Sequence, residues 1–157
     1  MVYKGGVQES GFMQARTISV GSTAFLVGAI FALLARDAFF GNGPVSISLQ
    51  VLGFALAGWA RITFGFHSFR FTANPTRDSL VTTGPYRYIR NPIYAAAWLI
   101  MWAGVAAHWS PMNATLAAVV TAMLIVKIAC EEPLLRAAYP DYAEYSRKTA
   151  RLVPFVV

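Results

Sequence analysis

The stretch Asn91–Val126, NPIYAAAWLIMWAGVAAHWSPMNATLAAVVTAMLIV, decides how this chain is built. Its 36 residues include no Asp, Glu, Lys or Arg. About 20 apolar residues at 1.5 Å each cross a bilayer core, so the run is too long for one span and suits two. His108-Trp109-Ser110-Pro111 supplies the break, because a proline inside a helix removes a backbone donor and clashes with the preceding turn. The predicted helices are Pro92 to Ala107 and Met112 to about Cys130.

Working outward, charges delimit two further spans. Thr17 to Ala35 gives 19 uncharged residues between Arg16 and Arg36. Ala38 to Ala60 gives 23 more, opening on the turn-forming Gly41-Asn42-Gly43-Pro44, so the helix is expected from Val45 to about Phe66. Arg61 at its end can snorkel toward head groups. Gly53, Ala57 and Gly58 on this helix read as a small-residue packing face. No buried charge is expected to line the four spans, which leaves a transport path without support.

Composition agrees. Apolar residues make up 57% of the 157 and charged residues 13%, against about 25% charged in a soluble domain. So few charges cannot cover the surface of a water-soluble fold. The net charge of +6 does not indicate nucleic acid, because the basic residues flank apolar segments and are not clustered on a soluble module. Cys130 is the only cysteine, which excludes an intrachain disulfide, and His67 and His108 are too far apart in sequence to suggest a metal site. Sixteen mixed residues precede the first apolar stretch, a pattern expected of a retained span and not of a cleaved leader.

Orientation follows from the excess of Lys and Arg on cytoplasmic loops. With both termini cytoplasmic, Lys4, Arg16, Arg61, Arg70, Arg77, Arg87, Arg90, Lys127, Arg136, Arg147, Lys148 and Arg151 lie inside. Only Arg36 falls outside, so both termini are expected in the cytoplasm, at a bacterial inner membrane. Two cytoplasmic segments are then open to chemistry: the central loop from His67 to Asn91, and the tail from Glu131 to Val157. Leu135, Ala138, Tyr142 and Tyr145 recur at helical spacing in the tail, so part of it is expected to lie on the interface as a helix.

In the loop, Gly84-Pro85-Tyr86-Arg87-Tyr88-Ile89-Arg90-Asn91-Pro92-Ile93-Tyr94 packs three tyrosines and two arginines into eleven residues. Head-group anchoring explains that composition equally well. Glu131 and Glu132 close the fourth span. Carboxylates beside an apolar run are costly unless paired, and at a helix C-terminus they oppose the macrodipole. Lys127 lies one turn before Glu131, so an i,i+4 pair is available. Helix capping alone is an open alternative.

The stretch Leu80-Val81-Thr82-Thr83-Gly84-Pro85-Tyr86-Arg87-Tyr88-Ile89-Arg90-Asn91-Pro92-Ile93-Tyr94 resembles the LVTxGPYxxxRHPxY signature of the isoprenylcysteine carboxyl methyltransferase and phospholipid methyltransferase superfamily. The second part of that pattern, an EExxL helix and a tyrosine-rich tail, stands here as Glu131-Glu132-Pro133-Leu134-Leu135, then Tyr139 to Tyr145, then Arg151-Leu152-Val153-Pro154. The resemblance implies a single membrane-embedded methyltransferase domain over residues 1–157. Its fold would be all-α and polytopic, with about four transmembrane helices and a C-terminal interfacial helix. The cofactor-binding part would cover about 63–155. It further implies S-adenosyl-L-methionine as cofactor, lined by Asp78, Ser79, Leu80, Val81, Tyr86, Asn91, Pro92, Ile93 and Tyr94 and bound by Glu131. Lys127 falls where the prenylcysteine enzymes place an arginine on the substrate side, and Arg90 and Glu132 complete the catalytic set. The implied substrate is lipophilic, reaches the site from the bilayer, and offers the carboxylate of an isoprenylcysteine-like thioether or a phospholipid amine.

Two positions depart from the pattern. Asn91 replaces the usual histidine, which keeps hydrogen bonding and loses titration near neutrality. Lys127 in place of arginine loses a bidentate clamp. The cofactor's chemistry matches these residue types: a carboxylate pairs its ammonium, and an aromatic face meets adenine or sulfonium. No Gly-rich dinucleotide fingerprint occurs, so the pocket would be built from helix ends and loops. Methyl transfer needs alignment more than acid–base chemistry. A carboxylate acceptor needs no base, whereas an amine would call on Glu132. The competing readings are a nicotinamide-dependent reductase relative and a non-enzymatic membrane protein.

Overall fold

The computed structural model describes residues 21–65 and 80–153. Among these residues there are five α-helices and no strand. They are α1 (Gly21–Ala35, its described part), α2 (Pro44–Phe64), α3 (Pro92–Ala107), α4 (Pro111–Ala138) and α5 (Tyr142–Lys148). A short 3-10 turn, Gly84–Arg87, precedes α3. Helices α2 and α4 are each long and apolar enough to cross a bilayer, and α1 and α3 are shorter apolar helices.

Proline sets three of the starts. Pro44, Pro92 and Pro111 each occupy the first turn, where the missing N–H has no intrahelical partner to lose. Ser110 caps α4 by accepting from the Asn113 amide at 3.1 Å. Helix α2 ends at Gly65, whose φ of +84° suits glycine, and Arg61 donates to the Gly65 carbonyl at 3.1 Å.

The limits of α3 match the sequence reading, whereas α4 runs on well past Cys130. It continues through Pro133 to Ala138. Pro133 forfeits the bond to the Ala129 carbonyl, at about 3 kcal/mol, and the helix nevertheless runs on, with ion pairs on Glu131 and Glu132 just before it. Leu135 and Ala138 therefore belong to α4, and the tail helix α5 begins only at Tyr142.

Close packing of α2 on α3 rests on small residues. A Cβ at Gly53 would meet Ile100 Cγ1 at 2.5 Å and the Ala96 carbonyl at 3.3 Å, and Ala60 is fully buried. Gly58 does not share this face; a Cβ there would meet open space. Gln50 crosslinks the same region, donating to the carbonyls of Phe39 (2.7 Å) and Ile100 (3.1 Å) and accepting from the Gly41 amide (3.1 Å).

Ala29 and Leu33 of α1 share a core with Met101 and Val105 of α3 and Ala117, Val120 and Leu124 of α4. Two contacts fix α1 and α4 as antiparallel neighbours. Arg36 Nε donates to Asn113 Oδ1 at 2.7 Å, and Lys127 Nζ donates to Thr23 Oγ1 at 3.2 Å, some 20 Å away along each helix. His108 Nε2 lies 3.0 Å from the Phe40 carbonyl, so the α1–α2 and α3–α4 connections share one end of the bundle. Phe31, Val45, Leu52 and Ile62 are among the large apolar side chains left on the outside, each more than 60% exposed. The expectation of spans free of buried charge does not hold: Lys127 and Glu132 on α4 are 4% and 6% exposed.

Candidate active site at the α3 start and α4 end

The opposite end of the bundle collects the polar residues. Gly84 opens the 3-10 turn with φ +57°, and a Cβ there would come within 2.5 Å of Thr63 Oγ1, so glycine is required on both counts. The turn buries Pro85 and Tyr86, and the Tyr86 ring sits 5.9 Å from that of Phe64 on α2. Burial pushes the Tyr86 phenol from 10.0 to about 12, with Arg61 pulling slightly the other way. Burial likewise raises Tyr145 and Tyr142. These phenols stay protonated near neutrality. Tyr145 uses this to donate to the Tyr86 carbonyl at 2.7 Å.

After the turn, the chain pairs with the tail. The Ala150 amide donates to the Tyr88 carbonyl at 3.0 Å, and the Arg90 amide donates to the Ala150 carbonyl at 2.8 Å. The Arg90 guanidinium donates to the carbonyls of Ser146 and Thr149. Its Nε also lies 3.1 Å from Glu132 Oε1, a charge contact without hydrogen-bond alignment. Arg151 Nη2 reaches the other Glu132 oxygen at 3.3 Å. Asn91 Nδ2 donates to the Arg151 carbonyl at 3.1 Å. The acidic end of α4 thus sits between an arginine before α3 and an arginine in the tail.

One residue earlier on α4, Glu131 meets α3. The Tyr94 hydroxyl lies 3.0 and 3.2 Å from the two Glu131 oxygens. Lys127 Nζ is 3.0 Å from Glu131 Oε1 across one helical turn. A buried ammonium requires such a partner, because desolvation without one costs far more than the pair gains.

The structure therefore joins Arg90, Asn91, Glu132 and Arg151 in one contact network and Tyr94, Lys127, Glu131 and Thr23 in a second, the two halves of a polar cluster that meet at the neighbouring residues Glu131 and Glu132 of α4. Leu80 and Val81 are half-buried, Tyr86 and Pro92 are buried, and Ile93 is 41% exposed, beside the cluster and not within it. Asp78 and Ser79, like His67, lie outside the described residues. Sequence reasoning gave no role to Thr23, Thr149 or Ala150, and it placed Tyr145 and Arg151 in the tail pattern without a partner. The residues they meet are far away in the chain.

A sequence model of the family described as "Phospholipid methyltransferase" matches residues 43–142, more than half of the chain. A curated relative, the cobalt-zinc-cadmium resistance protein CzcN of Cupriavidus metallidurans, is 30% identical over 112 residues, 71% of this chain and 50% of that protein. The chain thus spans about half the length of that relative. No solved structure matches. The matched residues contain the polar cluster from the turn before α3 to the paired glutamates of α4, and the chain belongs to the phospholipid methyltransferase family of membrane methyltransferases.

Proposed function

We propose that this chain is an integral-membrane S-adenosylmethionine-dependent methyltransferase that modifies a lipophilic acceptor reached from the bilayer. The observation that carries this reading is the meeting of Tyr94, Glu131 and Lys127 where α3 begins and α4 ends. In this reading α1 and α3 span the bilayer with α2 and α4. Their packing into one bundle and its apolar exterior support that arrangement. The shared end that holds the α1–α2 and α3–α4 connections is the outer one, and both termini are cytoplasmic, at a bacterial inner membrane.

The residues present fit S-adenosylmethionine by the chemistry of the donor set. Glu131 keeps 15% of its side chain exposed and offers a carboxylate to an ammonium. Tyr94 orients both of its oxygens. Tyr86 and Tyr94 supply aromatic faces for an adenine or a sulfonium. Leu80, Val81, Asn91, Pro92 and Ile93 line the same segment, with Asp78 and Ser79 preceding it. Bound there, the cofactor supplies a methyl group made electrophilic by its sulfonium.

Lys127 places a cation beside Glu131, the carboxylate that would bind the cofactor's ammonium, where it would take an anionic group of the acceptor. Both Glu132 oxygens face guanidiniums, so Glu132 and Arg90 are placed to hold the tail and not to collect a proton. An acceptor already ionised at neutral pH needs no base. This favours the carboxylate of an isoprenylcysteine-like thioether. The matched family description favours the second reading, a phospholipid amine.

The test is equilibrium binding of S-adenosylmethionine in nanodiscs, followed by a labelled-methyl survey of prenyl-thioether acids and phospholipid amines. Glu131→Ala is expected to weaken binding by about tenfold or more, as loss of a charge-assisted contact does. A loss of under about twofold, or a preference for NADPH, overturns the reading.

A further inference from the structure

The family match begins at residue 43, so it leaves α1 out. The structure does not. Ser22, Ala29 and Leu33 of α1 are buried at helical spacing, and Ala29 and Leu33 share a core with Ala117, Val120 and Leu124 of α4. Lys127 follows Leu124 by one turn on the same face. At that level, α1 presents Thr23, whose hydroxyl lies 3.2 Å from Lys127 Nζ across 104 residues of sequence. The antiparallel register set by Arg36 on Asn113 leaves Thr23 little freedom to slide.

We propose that α1 is part of the functional site and that Thr23 is a positioning residue, holding the Lys127 ammonium beside Glu131. Lys127 is a long, flexible side chain, 4% exposed, in an apolar surrounding. A contact to Glu131 alone allows the ammonium to follow that carboxylate wherever it turns. Thr23 Oγ1 adds an acceptor supplied by α1. When Glu131 turns to meet the cofactor's ammonium, the hydroxyl keeps a hydrogen-bond acceptor on the Lys127 ammonium and holds it in place beside that carboxylate. This assignment rests on the reading of Lys127 and Glu131 given above.

Thr23→Val removes the hydroxyl and preserves the shape, and Thr23→Ala is the second variant should valine crowd α4. Binding of S-adenosylmethionine in nanodiscs is the readout, alongside kcat and KM with the best acceptor from the survey. Thr23→Val is expected to weaken cofactor binding by roughly five- to tenfold, the upper part of the range for a single ordinary hydrogen bond. Thr23→Ser is expected to stay within about twofold of wild type, since the donor–acceptor chemistry is kept. In a Lys127→Met background, Thr23→Val should have no further effect, because the two act as one unit. A purely structural threonine would instead give the same loss in both backgrounds. Wild-type binding with Thr23→Val and Thr23→Ala at wild-type affinity overturns this inference alone. A wild-type protein that binds no S-adenosylmethionine overturns the functional reading and this inference with it.

Discussion

Replacing Glu132 by alanine tests the reasoning most directly, because the structure gives it two arginine partners of very different exposure. Arg90 and Glu132 have side chains 9% and 8% exposed, 3.1 Å apart, whereas the Arg151 side chain is 52% exposed at 3.3 Å. Removing one member of a buried pair leaves the other charge uncompensated, at about 3–5 kcal/mol. Arg90 keeps the Thr149 and Ser146 carbonyls, which places the expected loss near the lower end, about 3 kcal/mol. Exposed pairs are worth about 0–1 kcal/mol. At about 2–4 °C per kcal/mol for a chain of this size, Glu132→Ala should lower Tm by roughly 6–12 °C and Arg151→Ala by less than about 4 °C. Tryptophan-fluorescence melts of purified protein in one detergent, with matched scan rates, measure both. Equal shifts for the two variants would show that burial does not separate the partners, and the account of the cluster would fail.

Asn91→Ala removes the amide that holds the Arg151 carbonyl and should speed trypsin cleavage at Arg147 and Lys148 by about two- to fivefold, the effect of one exposed hydrogen bond. Asn91→His keeps a donor and should restore protection; equal cleavage of Asn91→Ala and wild type counts against the tether. Tyr86 titrates at about 12 when folded against 10.0 as the ordinary value, so its contribution to stability is complete below pH 10 and disappears between pH 10 and 12. Alkaline melts should therefore show a shallower fall for Tyr86→Phe than for wild type over that window, and parallel curves would refute the assignment. Gly104→Ala places a Cβ against the Phe39 carbonyl, which is backbone and cannot swing aside. A loss of about 1–3 kcal/mol is expected, read as a lower Tm, whereas Gly58→Ala, inside a helix and facing open space, should leave Tm unchanged or raise it.

What was legible in the sequence was local. The bounds of α3 followed from Pro92 at one end and the His108–Pro111 break at the other, since a missing N–H and a fixed φ act on neighbouring residues only. The pairing of Lys127 with Glu131 could likewise be read from i,i+4 spacing. The continuation of α4 through Pro133 could not. A proline argues locally for a stop, and the partners that Glu132 finds beside it, Arg90 and Arg151, come from distant segments.

By itself, the sequence determined the apolar helices, their breaks and the gathering of tyrosines, arginines and glutamates at segment ends, because charge and proline act wherever they stand. The tertiary structure decided which of those groups meet. Tyr94 finds Glu131 across 37 residues, Asn91 finds Arg151 across 60, and Lys127 finds Thr23 across 104. Such partners are chosen by the antiparallel packing of helices whose apolar faces fit, and a buried charge then takes whichever group that packing delivers.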